Sequence, residues 1–202
     1  MRGAILAGGG ATRFGGRPKG LARIGGVRIL DRLIAAFIEA LGAPPLLIAN
    51  DPASAEWAPA LRVVPDVRPG TGAAGGILTA VTAAPAPVVV VAWDMPFVSA
   101  ALIRALADGL PGVDAFLPQS GGPQGVEPLC AAYGPATAAA VTATLDLGDL
   151  RAVAFHQAMK VGILTLERIG QLGDPGMLFL NVNTADDLRE ADRLWQQHDS
   201  SR

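Results

Sequence analysis

Residues 4 to 19 constrain this chain more than any other stretch. The run Ala4-Ile5-Leu6-Ala7 is short and apolar, as a buried strand is. Gly8, Gly9 and Gly10 follow at once, then Arg13 and Lys19, with Gly15-Gly16 between the two cations. A glycine loop after a strand lets backbone N–H groups crowd around an anion, because no Cβ holds the ligand away. Arginine adds a fork of donors for phosphate oxygens, and lysine a point charge. Together these parts predict a binding site for a polyphosphate.

The common phosphate motifs do not describe this loop. A P-loop carries its lysine directly after the last glycine and before Ser or Thr. Here Lys19 follows Pro18 and precedes Gly20. A dinucleotide fingerprint spaces its glycines as G-x-G-x-x-G, whereas Gly8-x-Gly10 runs on to Arg13.

Downstream, Gly25-Gly26 sits between two short apolar runs and predicts a two-residue hairpin. Leu30, Leu33, Ile34, Phe37 and Leu41 recur at helical spacing, and Gly42 and Pro44 end that helix. Leu46 to Ala49 reads as a second core strand, closed by Asn50-Asp51. Asn50 suits a turn, and its place at a strand end also makes it a candidate for contact with a base or ribose. Leu61 to Val64 is a third short strand, ended by Pro65-Asp66. Pro69 to Gly76 reads as a second glycine-rich loop leading into a helix with Ile77, Leu78 and Val81. Small residues there would let a ligand approach the backbone.

Val88 to Ala92 is an unbroken β-branched run, which suits a central parallel strand covered on both faces. It ends in Trp93-Asp94-Met95-Pro96. Ligands of open α/β sheets bind beyond the carboxyl ends of strands, so Asp94 lies where chemistry is expected. A turn or capping role is its plainer alternative. Ser99 caps the next helix. Ala115 to Leu117 and Val126 to Tyr133 read as strands, with helices from Pro135 to Leu145 and from Leu150 to Phe155 and an edge strand at Val161 to Leu164. Thr184 and Asp187 form a capping box for a last helix. The alternation predicts one α/β domain over residues 1–202 with a mostly parallel sheet.

Composition narrows the class. The chain has 202 residues, half of them hydrophobic, with a formal net charge of −2 and no basic block, so a nucleic-acid partner is not favoured. Cys130 is the single cysteine and excludes an internal disulfide. Glycines interrupt the apolar N-terminus and no long charge-free apolar span follows. The expectation is a cytoplasmic protein with no membrane partner. His156 and His198 suit surface or packing positions.

A polyphosphate meeting a second phosphate needs counter-charge. Each pair of like charges at 4 Å costs roughly 1 kcal/mol even in water. Mg²⁺ held by one or two carboxylates and by phosphate oxygens supplies it, and Asp94 is the expected carboxylate.

Leu6-Ala7-Gly8-Gly9, Arg13-Phe14-Gly15-Gly16 and Lys19-Gly20 resemble the opening motif of molybdenum cofactor guanylyltransferases, within the nucleotidyltransferase superfamily. Val64-Pro65-Asp66 with the Gly72 to Gly76 stretch, Asp94-Met95-Pro96-Phe97, Glu127-Pro128-Leu129, Gly148-Asp149-Leu150-Arg151 and Asn181-Val182-Asn183-Thr184 resemble later segments in the family's order. The resemblance implies a three-layer α/β/α fold with a Rossmann-like sheet and a small antiparallel part. It implies transfer of GMP from GTP to the terminal phosphate of molybdopterin, with Mg²⁺ as cofactor. Leu6, Ala7, Gly8, Gly9 and Lys19 would bind GTP, with Asn50 and Asp66 near the nucleoside. Asp94 would hold the metal and contact GTP, while Arg13 and Lys19 stabilise charge. Glu127, Arg151, Asn181 and Asn183 fall on the acceptor side, although Asn183 also suits local bonding at a helix start. Proteins that insert molybdenum or deliver the cofactor are possible partners. Two positions depart from the pattern: Trp93 replaces a small residue or cysteine, and Leu150 replaces an arginine. The same loop and carboxylate would serve a cytidylyltransferase for the same cofactor, a sugar-phosphate nucleotidyltransferase, or a non-catalytic nucleotide carrier.

Overall fold

The computed structural model describes residues 1–8, 18–83 and 86–199. Its strands are β1 Arg2–Leu6, β2 Arg23–Ile24, β3 Val27–Arg28, β4 Leu46–Ile48, β5 Val63–Val64, β6 Val88–Ala92, β7 Ala115–Pro118, β8 Cys130–Tyr133 and β9 Val161–Leu164. The helices are α1 Ile29–Leu41, α2 Ser54–Trp57, α3 Gly72–Ala83, α4 Ala100–Gly109, α5 Thr137–Asp146, α6 Leu166–Gly170, α7 Pro175–Leu178 and α8 Ala185–Asp199. Among the described residues no helix is long and apolar enough to cross a membrane.

Seven strands form one sheet in the order β5-β4-β1-β6-β8-β7-β9. β8 runs antiparallel to both its neighbours, and the other pairings are parallel. β2 and β3 make the separate hairpin, where Gly25 and Gly26 take φ of 55° and 78°, values that favour glycine. From β1 the chain builds outward through β4 and β5 on one side, then returns to place β6 on the other. The order reverses between β1 and β6, so their following loops diverge and leave a crevice. The register sets Leu6 beside both Ile48 and Ala92, which brings three strand ends level at the crevice.

The β-branched run of β6 behaves as its composition predicts. Val89 and Val91 join Phe37, Leu102 and Leu106 in one core. Val88 and Val90 join Ile77, Val81 and Val141 in a second core on the opposite face. Both layers exclude water, and all four valines are fully buried.

Three sequence expectations need correction. The second glycine stretch is not a loop up to Gly76: helix α3 begins at Gly72. Glycine is a poor helix former, yet tertiary packing overrides propensity here. A Cβ on Gly75 would fall 2.0 Å from the Thr71 hydroxyl, and Gly76 lies against Leu6. The strand expected from Val126 is regular only in β8: Val126 keeps a single antiparallel bridge to Gln119, and Pro128 and Leu129 turn before Cys130. The helix expected from Leu150 is a 3-10 turn at Ala154–Ala158.

That turn seats His156 beside Tyr133, with Nε2 3.3 Å from the phenolic oxygen. Tyr133 donates its only proton to the Pro128 carbonyl at 2.8 Å, so the imidazole N–H donates to Tyr133. Burial lowers the His156 pKa from 6.5 to about 4. The unfolded chain therefore binds a proton that the folded chain refuses between those values. This contribution to stability is complete above pH 6.5 and is lost progressively as pH falls towards 4. Urea unfolding followed across that range should show the loss, and His156→Phe should flatten the slope. An unchanged slope in the variant would remove His156 as its source.

Candidate active site

Lys19 opens a 3-10 turn, Lys19–Leu21, and its side chain is nearly sealed from solvent. Its ammonium donates to Asn183 Oδ1 at 2.7 Å and lies 3.6 Å from Asp94 Oδ2. Asp94 sits two residues beyond β6, where the carboxyl ends of the parallel strands meet the crevice. Burial raises its carboxyl pKa, and the charge of Lys19 works against that rise. A carboxylate and an ammonium removed from water together each lower the cost of burying the other.

Asn183 is held in its turn by the start of α8. Asn183 N–H and Thr184 N–H both donate to Asp187 Oδ2 at 2.8 Å, and Asp187 N–H donates to Thr184 Oγ1 at 3.1 Å. This is the capping box expected from the sequence. The backbone donors, Asn183 first, lower the Asp187 pKa. Val182 N–H also donates to the Asp94 carbonyl at 2.8 Å, tying the segment before α8 to the loop after β6.

Trp93 accounts for its own departure from the expected small residue. The indole N–H donates to the Gly8 carbonyl at 3.2 Å, and the ring stacks on Trp57 at 5.3 Å between centroids. It thereby braces the exit of β1 with a group that no small residue could supply. Nothing in the sequence singles out Trp57, which is brought there by the short α2. The Trp93 ring also meets Gly20, where a Cβ would fall 2.4 Å from it.

These residues enclose a cavity of about 460 Å³. Leu6, Ala7 and Gly8 contribute one side, with Lys19, Asp94 and Asn183 close by. Asn50 and Asp66 stand at the other end, and Gly72, Ala73 and Gly76 of α3 complete a wall. Asn50 Nδ2 donates to Asp66 Oδ2 at 2.7 Å, and Asp66 N–H donates back to Asn50 Oδ1 at 2.8 Å. The size suits a small-molecule ligand, with few polar groups converging on it. Gly9 and Arg13 lie outside the described residues.

A second cavity, of about 810 Å³, is lined by Glu127, Asn181, Ser120, Gly122 and Phe179 among others. Leu129 and Asn183, two residues along the same segments, line the first cavity. The segments 127–129 and 181–183 thus stand between the two spaces. Burial raises the Glu127 pKa, while a hydrogen bond from Ser120 opposes it. Arg151 lines neither cavity: it is exposed and donates to Asp149, whose carboxyl it holds down at about 2. Of the residues expected on the acceptor side, the structure gathers Glu127, Asn181 and Asn183 and leaves Arg151 apart.

Comparison with known proteins adds three findings. The profile of the MobA-like NTP transferase domain matches residues 3–161. A probable molybdenum cofactor guanylyltransferase of Pelotomaculum thermopropionicum is 32% identical, over 94% of this chain and 90% of its own length. One of Chloroflexus aggregans is 33% identical, over 94% and 92%. The fold is also that of molybdopterin-guanine dinucleotide biosynthesis protein A from Archaeoglobus fulgidus, with a TM-score of 0.82 and 24% identity over 98% of this chain and all of that one.

Gly20→Ala should displace the Trp93 ring and lower stability by about 1–3 kcal/mol, the usual cost of overpacking. A chemical-denaturation midpoint and the tryptophan emission spectrum check it. Unchanged values for both would mean that the ring is not confined by Gly20.

Proposed function

As the chain belongs to the MobA-like NTP transferase family and is a nucleotidyltransferase, we propose that it transfers GMP from GTP to the terminal phosphate of molybdopterin, releasing pyrophosphate. The observation that carries this reading is the single cavity shared by the end of β1, Lys19 and Asp94. A polyanion at that spot meets a buried cation and strand-end backbone, with a carboxylate positioned for a divalent ion.

The residues fit Mg²⁺. Among the described residues no cluster of three or more His, Cys, Asp or Glu could hold a metal by itself. A lone carboxylate facing a phosphate site is the donor set that Mg²⁺ accepts, since phosphate oxygens and water complete its shell. Bound by Asp94, the ion would neutralise phosphate charge and align the triphosphate.

In the proposed reaction an acceptor phosphate oxygen forms a bond to the α-phosphorus of GTP. The bond from that phosphorus to the bridging oxygen of pyrophosphate breaks, and pyrophosphate leaves with the electron pair. The attacking oxygen is already anionic, so no residue needs to remove a proton. Lys19, fixed by Asn183, stabilises the triphosphate charge, and Arg13 from the glycine loop would add a second cation. Leu6, Ala7, Gly8 and Gly9 offer backbone to the nucleotide. Positioning and electrostatics supply the rate.

Asp66 lies beyond β5, three strands from β6 in the sheet. At 4.7–4.9 Å per strand that is about 14 Å, far enough for a nucleoside to reach from phosphates near Asp94. We assign Asp66, braced by Asn50, to the donor edge of guanine. Glu127, Asn181 and Asn183 take the acceptor side, in and beside the larger cavity. Both substrates suit work in the cytoplasm, with molybdenum-inserting or cofactor-accepting proteins as hand-over partners.

Pyrophosphate release with molybdopterin and Mg²⁺, run with GTP and then CTP, tests the reading. Release with GTP is expected. Asp94→Asn should lower turnover by on the order of 100-fold or more with the fold intact by circular dichroism, and Arg13→Ala should lower it strongly. Release with CTP alone would reassign the base, and release with neither would favour a nucleotide carrier.

A further inference from the structure

We propose that Thr79, on the inner face of α3, is a positioning residue that sets the nucleotide preference of the cavity by anchoring the backbone that carries Asp66. The inference rests on reading that cavity as the nucleotide site. Thr79 is fully buried, although hydroxyl side chains usually stay near water. Its Oγ1 accepts from Val67 N–H at 3.0 Å and donates to the Gly75 carbonyl at 2.8 Å. The same oxygen lies 3.4 Å from Asp66 Oδ1. One hydroxyl therefore ties the segment after β5 to the helix that walls the cavity.

The tie matters because β5 is two residues long and stands at the sheet edge. Pro65 follows it and has no N–H to offer. Asp66 is then held from two directions. Asn50 grips one carboxylate oxygen and the backbone N–H from the end of β4. Thr79, its one proton given to Gly75, anchors the N–H of the next residue, Val67, from α3. Gly72, Ala73 and Gly76 of the same helix line the cavity, so a shift of α3 and a shift of Asp66 are one motion. A carboxylate gripped by Asn50, on a backbone that Thr79 anchors at the next residue, presents its remaining lone pairs in one direction. It can then discriminate between bases that do and do not offer a donor there.

Thr79→Val removes the hydroxyl and keeps the branched shape, while Thr79→Ser keeps the hydroxyl. KM and kcat are measured for GTP and for ITP, which lacks the 2-amino group, together with KM for molybdopterin. Calorimetric binding of GTP and ITP gives a readout independent of turnover. Thr79→Val should raise KM for GTP by about tenfold, one hydrogen bond's worth of binding, and narrow the GTP-over-ITP preference. Its kcat and its KM for molybdopterin should change little, and Thr79→Ser should restore the preference. If Thr79→Val does not fold, Thr79→Ala drops the same hydroxyl without adding a methyl. A lower melting temperature with an unchanged GTP-to-ITP ratio would overturn the proposal and leave a structural role alone. A wild-type protein that releases no pyrophosphate would overturn the guanylyl-transfer reading instead, and the calorimetric ratio would still judge Thr79.

Discussion

A cation buried at the switch in strand order organises this molecule. Lys19 leaves the glycine loop and sends its ammonium below the surface, where an unpaired charge could not be kept. Its partners come from far along the chain, Asp94 from the end of β6 and Asn183 from the start of α8. The three segments meet only because β1 and β6 are neighbours in parallel register, with Leu6 beside Ala92. Removing one partner would leave the others buried and unsatisfied, a much larger cost than the net worth of the contact. The nucleotide site proposed above is built on this contact.

Rigidity around that contact is supplied by groups that do not join it. Asp187 holds the backbone at Asn183 while capping a 15-residue helix. Trp93 packs against Trp57 and Gly20 and donates to the Gly8 carbonyl. On the far side Asn50 braces Asp66 and Thr79 anchors the peptide after it. Each brace joins an element end to another element end, which is where open α/β sheets place ligands. Precision at the site thus comes from packed and hydrogen-bonded neighbours rather than from extra ligating groups.

Strand ends, glycine patterns and resemblance single out Lys19, Asp94, Asn50 and Asp66, and these four line one cavity. The capping box at Thr184 and Asp187 was legible because it is local, three residues apart. What escaped was non-local. Gly72 to Gly76 reads as a loop because glycine disfavours helices, and it is the packing of α3 against β1, β4 and β6 that outweighs this. Trp57 and Thr79 carry no signal in their neighbours, since each matters through a contact in space. Arg151 belongs to a matching segment, yet its side chain turns to Asp149 rather than to either cavity.

By itself the sequence determined the alternation of strands and helices, the buried character of β6 and the carboxylate that follows β6. These are properties of residue type and short-range spacing, which hydrophobic burial and backbone sterics read directly. Tertiary structure alone decided that Lys19 would meet Asn183, that Trp93 would seal the exit of β1 and that two cavities would lie either side of the segments 127–129 and 181–183. Those outcomes depend on strand order and register, which bring together residues too far apart in the chain for any local pattern to announce them.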